Sequence, residues 1–94
     1  RFSVDHAVIS VGAVDASTGI MDHDLAEAEF ARVVLARGQR SVVITDHTKF
    51  GRRGLVQVCN FAGIQELATD RQPPHEVVAA LQGAGTRLTV APAD

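Results

Sequence analysis

Apolar and polar positions along the chain fall into short blocks with different periods. "HAVISVGAV" (6–14) is a nearly continuous β-branched and apolar run bounded by Asp5 and Asp15, which predicts a buried strand. "DASTGIMDH" (15–23) has no period, contains Gly19 and reads as a loop; counted from Gly12 to His23 it is about twice the usual length for a strand-to-helix connection. "DLAEAEFARVVLARG" (24–38) switches to helical spacing, with Leu25, Ala28, Ala31 and Leu35 on one stripe flanked by Val34. Asp24 and Glu27 have the spacing of a capping box, and Arg37 with Gly38 supplies a cation in the last turn and a glycine just beyond it.

The second half continues the alternation. "SVVIT" (41–45) predicts another strand, so strand–helix–strand order implies a right-handed parallel crossover. "LVQVC" (55–59) reads as a strand with Leu55, Gln57 and Cys59 on one face, and "IQELAT" (64–69) as a short strand or turn. Pro73 and Pro74 suit a helix start, and "HEVVAALQGAG" (75–85) puts Val77, Val78 and Leu81 on one side until Gly83 and Gly85 stop it. "TRLTVA" (86–91) predicts a last strand. The expected class is α/β, with a mainly parallel sheet flanked by helices.

Composition narrows the function classes. The chain has 94 residues, room for one small core, with 46% hydrophobic and 21% charged residues. A formal net charge of −2 argues against a nucleic-acid module in this segment, since phosphate backbones are met by basic faces. Cys59 is the only cysteine, which excludes an intrachain disulfide and fits a reducing cytoplasmic setting. No apolar run approaches the roughly 18 residues of a membrane span, and no signal peptide is visible. The start at Arg1, almost directly in a strand, suggests a piece of a longer protein.

Ligands of open parallel sheets bind at the carboxyl ends of the strands. Two such ends are legible here: Gly12, Ala13, Val14 and Asp15 after the first strand, and Asp46, His47, Thr48 and Lys49 after the second. If the strands are neighbours, both segments face one crevice. Gly12 permits close backbone approach, the helix terminus carrying Asp24 and Glu27 suits hydroxyl groups, and Lys49 supplies the positive charge a phosphate needs. Each also has a plainer reading: Asp46 with Thr48 is a common Asx turn, Glu27 a cap residue and Gly12 a turn glycine. Histidines 6, 23, 47 and 75 show no zinc-type spacing, so no metal or other cofactor is expected. Cys59 reads as a small core residue, and Arg52 and Arg53 as solvated cations. No serine–histidine–acid order, P-loop or GxGxxG occurs.

Two stretches carry a family likeness. "VGAVDASTGIMDHDLAEAEFARVVL" followed by "VVITDHTKFGRRGLVQVCNFAGIQELATD" resembles the C-terminal effector-binding domain of DeoR-family bacterial transcriptional repressors. The pairing of the "EAE" helix with "D-x-T-K-F-G" is the specific part, and the likeness spans nearly the whole chain. It implies a fold similar to that of ribose-5-phosphate isomerase and the CoA transferases, present as a partial domain: residues 1–94 would be the C-terminal part of an effector sensor. It implies a phosphorylated sugar or related carbon metabolite as effector, and operator DNA bound only through an N-terminal helix-turn-helix outside this chain. It also carries Gly12, Asp15, Glu27, Asp46 and Lys49 over as effector-binding residues, with no catalytic residue. Ala31 and Ala13 depart from the lysine and glycine common in the family, and "GIMDHDL" looks closer to regulators of glycerol 3-phosphate or sugar alcohols. The alternative from the same fold is a sugar-phosphate isomerase with Glu27 as its carboxylate base. Apolar strands left exposed in a half-domain would support a homo-oligomer.

Overall fold

A computed structural model describes residues 4–52, 54 and 56–91. The chain runs β1 (Val4–Ser10), β2 (Ala13–Asp15), β3 (Gly19–Asp22), α1 (Leu25–Arg37), β4 (Gly38–Ile44), β5 (Val56–Cys59), β6 (Glu66–Thr69), α2 (His75–Ala84) and β7 (Arg87–Val90). Single 3-10 turns at His47–Lys49 and Phe61–Gly63 follow β4 and β5. Four strands form one parallel sheet in the order β1-β4-β6-β7, which is the expected α/β class. The other three form an antiparallel sheet in the order β2-β3-β5.

That second sheet corrects the sequence reading twice. The run 6–14 is two strands, because the chain leaves the parallel sheet after Ser10 and enters the small sheet at Ala13. The expected loop 15–23 contains β3, whose Ile20 and Met21 are buried. Its two-residue apolar signal was too short to show a period, and Gly19, at φ 89°, makes the tight hairpin. In β5, Val58 faces the core and Gln57 is exposed, while Leu55 lies outside the described residues, as does Arg53.

Both helices form largely where the pattern put them. Ala28, Ala31 and Leu35 are the buried stripe of α1, packed towards β1, β4 and β5. Leu25, at the first helical position, falls outside that stripe and is 57% exposed. Arg32 ties the helix to the small sheet, its Nε donating to the Val58 carbonyl at 3.1 Å and a terminal nitrogen to that of Gln57. Asp24 caps α1 by accepting from the Ala26 N–H at 2.8 Å, but the reciprocal half of the capping box is missing, because the Glu27 carboxyl turns to Asp22 instead.

Gly38 ends α1 in extended backbone (φ −84°, ψ 139°) and begins β4, so a left-handed cap is not its role. A Cβ there would come within 2.9 Å of the Ala7 nitrogen, and close approach of β4 to β1 is what requires glycine. Gly83 stays helical; Gly85 ends α2 at φ 75°, with Gly85 N–H to Gln82 O and Thr86 N–H to Leu81 O.

All covering elements lie on one side of the parallel sheet. Ala7, Val43, Leu67, Val77 and Leu81 share a single core with Ile20, Val58 and Phe61. On the opposite face, β-register aligns Val8 with Val42, Ser10 with Ile44, and Ile44 with Ala68. Those residues are exposed or half-buried, Val8 at 53% and Ile44 at 49%.

Leu67 is fully buried at the centre of this one-sided core. Leu67→Ala is expected to cost about 3 kcal/mol, a large share of a small domain's stability, read as a lower urea midpoint.

Candidate functional site

The carboxyl ends of β1, β4, β6 and β7 converge on a depression of about 770 Å³. Ser10, Val11, Thr45, Asp46, Lys49, Thr69 and Asp70 line it, with Ile44, Ala68 and Ala91 as its apolar floor. β1 and β4 are neighbours, so the two segments expected to share a crevice do begin side by side. What they contribute is unequal.

Asp46 and Lys49 both reach the depression. Asp46 is also the Asx-turn residue: its Oδ1 accepts from the Thr48 N–H at 2.8 Å and from the Thr48 hydroxyl. The turn and the site are therefore one structure. Those bonds to Thr48, assisted by Lys49, hold the Asp46 carboxyl below its ordinary range. The Lys49 ammonium has no hydrogen-bond or ion-pair partner among the described residues. The turn continues into a bridge between Phe50 and Val14, where the Gly51 N–H donates to the Val14 carbonyl at 3.0 Å.

Gly12 and Glu27 sit on the other flank of β1. A Cβ on Gly12 would meet His23 Cδ2 at 2.9 Å and Asp22 Oδ1 at 3.1 Å, so the group it allows to approach is the Asp22–His23 corner. Its φ is not positive, and no left-handed turn explains it. Glu27 opens onto a neighbouring depression of about 500 Å³ shared with Val8, Ser10, Asp22 and Phe30. Asp22, buried and accepting from the His23 N–H at 2.8 Å, shares a hydrogen bond with the Glu27 carboxyl and raises it above its ordinary range. Ser10 lines both depressions.

Asp15 stands apart. Its Oδ2 accepts from the N–H and hydroxyl groups of Ser17 (3.2 and 2.6 Å) and Thr18 (3.0 and 2.8 Å). These bonds close the β2–β3 hairpin and lower its carboxyl to about 2. Asp70 and Thr69, at the end of β6, line the main depression but did not emerge from sequence reasoning. Their segment read as a doubtful strand; had it been taken as parallel, its carboxyl end would have pointed to them. Among the described residues no cluster of three metal-ligating side chains occurs.

A family model for the DeoR C terminal sensor domain matches residues 1–71. The chain belongs to the DeoR sensor-domain family. That membership makes it part of a DeoR-type sensor and not of an isomerase. It is 32% identical over 81 residues to the HTH-type transcriptional repressor CsqR of Escherichia coli, covering 86% of this chain and 31% of that one. It is 24% identical over 90 residues to the glycerol-3-phosphate regulon repressor of Haemophilus influenzae, covering 96% and 35% respectively. The Escherichia coli repressor of the same name matches at 24% over 81 residues, 86% of this chain and 32% of that one. This DeoR-family chain thus spans about a third of the length of these curated relatives.

Two pH effects follow from the carboxylates. Asp15 is depressed from 3.8 to about 2 in the folded state, so its stabilisation is complete above its ordinary value and is lost as pH falls towards 2. Asp15→Ala should therefore lower the urea midpoint at neutral pH, by about 1 kcal/mol by analogy with a lost cap, and the gap to wild type should narrow in acid. Glu27 has the opposite sign: its raised carboxyl favours folding in acid and loses that contribution as pH rises through its folded value. Glu27→Gln keeps a donor for Asp22 without the charge, and should raise the thermal midpoint at pH 7 but not at pH 4.

Proposed function

We propose that this chain is the effector-binding part of a bacterial transcriptional repressor, taking a phosphorylated sugar or related carbon metabolite in the strand-end depression. Effector binding relieves repression at operator DNA, which a DNA-binding segment elsewhere in the full-length cytoplasmic protein contacts. The observation that carries this reading is the Lys49 ammonium, a cation without a partner among the described residues, facing a pocket whose other polar side chains are hydroxyls and carboxylates. Ser10, Thr45 and Thr69 supply hydroxyls, and Asp46 accepts from the hydroxyls of a polyol. Relatives are named as glycerol-3-phosphate regulon repressors, which favours a small phosphorylated polyol.

Glu27 acts from the adjoining depression, with Ser10 between the two, and binds the far end of the effector; Gly12 shapes that end by admitting the Asp22–His23 corner. Asp15 supports the same site indirectly, through the hairpin whose Val14 holds Gly51. Assembly of copies would use the open sheet face, where Val8 and Ile44 are half exposed.

The full-length protein is expected to gain thermal stability from a panel of sugar and polyol phosphates. A ligand at 100 times its dissociation constant adds roughly 2.7 kcal/mol. Lys49→Ala should remove that gain while leaving the ligand-free midpoint and circular dichroism unchanged. An undiminished response in Lys49→Ala would return Asp46–Lys49 to the status of a turn.

A further inference from the structure

The turn that presents Lys49 is held from two directions. Asp46 caps it locally, as any Asp-x-Thr can. The second hold comes from the neighbouring strand: Asp70, just past β6, takes the His47 N–H on Oδ1 at 2.8 Å and the His47 ring Nδ1 on Oδ2 at 2.8 Å. Both carboxylate oxygens thus bond one residue, the first of the three-residue turn, and Oδ1 also accepts from the Thr69 hydroxyl at 3.3 Å. At its far end the same turn is fastened by the Gly51 N–H on the Val14 carbonyl. Lys49 lies between these two anchors.

We propose that Asp70 is the positioning residue of the effector site, fixing the His47–Lys49 turn on the parallel sheet so that Lys49 and Asp46 face the depression. This rests on the reading of that depression as the effector site. The geometry requires a proton on His47 Nδ1, since an ionised carboxylate only accepts. In the neutral ring, Nε2 then keeps its lone pair and can accept from an effector hydroxyl. The His47 bonds also hold the Asp70 carboxyl below its ordinary range, so it stays ionised at neutral pH. Asp46, Lys49 and Asp70 are the charged groups around His47 on these segments. With the His47 ring 40% and the Asp70 side chain 47% exposed, the pair is a positioning device more than a source of stability.

Two substitutions separate positioning from contact. Asp70→Asn keeps an oxygen for the His47 N–H, and its amide can donate to the ring nitrogen in the other tautomer; Asp70→Ala keeps neither. In the full-length protein, with glycerol 3-phosphate as probe and inorganic phosphate as second probe, Asp70→Ala should weaken binding about tenfold, while Asp70→Asn stays within about threefold of wild type. Hydrogen–deuterium exchange without ligand should quicken across residues 46–51 in Asp70→Ala and stay near wild type in Asp70→Asn. Equal loss in both variants would overturn the proposal and make the Asp70 charge itself a ligand contact. Wild-type affinity in both would also overturn it. If neither probe binds the wild type, the exchange measurement alone decides: faster exchange confined to Asp70→Ala upholds the positioning role while the effector reading falls, and unchanged exchange ends the proposal.

Discussion

The parallel pairing of β1 with β4, in which Ser10 lies opposite Ile44, determines where every polar side chain of the candidate site ends up. Both strands stop at that level, and each hands its chain to a different structure. After Ser10 the backbone crosses into the small antiparallel sheet; after Ile44 it folds into the Asp46–Lys49 turn. The pairing needs close approach at its other end, where a side chain on Gly38 would collide with Ala7. A glycine some 20 Å of strand away from the depression, by about 3.3 Å per residue, therefore helps set the register on which the site depends.

The small sheet is more than an ornament on the parallel sheet. It brings β5 under α1, where Arg32 binds the carbonyls of Gln57 and Val58, and it brings β2 alongside Phe50 and Gly51. Asp15 closes its hairpin, so the carboxylate carried over as an effector ligand has four bonds of its own to hold. Local satisfaction of that kind explains its depressed carboxyl without any ligand.

How much of this was legible followed signal length. The helices, with three to five apolar positions at a sustained period, were placed closely, and so was β4, whose run "SVVIT" is long and β-branched. Ile20 and Met21 could not announce β3, because two residues establish no period; their burial is decided by β2 and β5, which approach from elsewhere in the chain. Asp46 and Lys49 were legible because they follow an unmistakable strand. Asp70 was not, because its role depends on β6 lying next to β4, a fact of topology and not of local sequence. The capping box failed for a similar reason: Glu27 had a competing partner, Asp22, from another strand.

Charge places a final constraint on the effector. Lys49 faces a site that also contains Asp46 and Asp70, both held ionised by their own hydrogen bonds. At an effective dielectric of about 20, a unit charge 4 Å from Lys49 gains about 4 kcal/mol, and a carboxylate at similar distance removes as much. A phosphate dianion at the centre of the depression would thus meet no net attraction. On the proposed reading of the depression, the arrangement favours an elongated ligand, with hydroxyls towards Asp46 and an anionic end displaced to the Lys49 side.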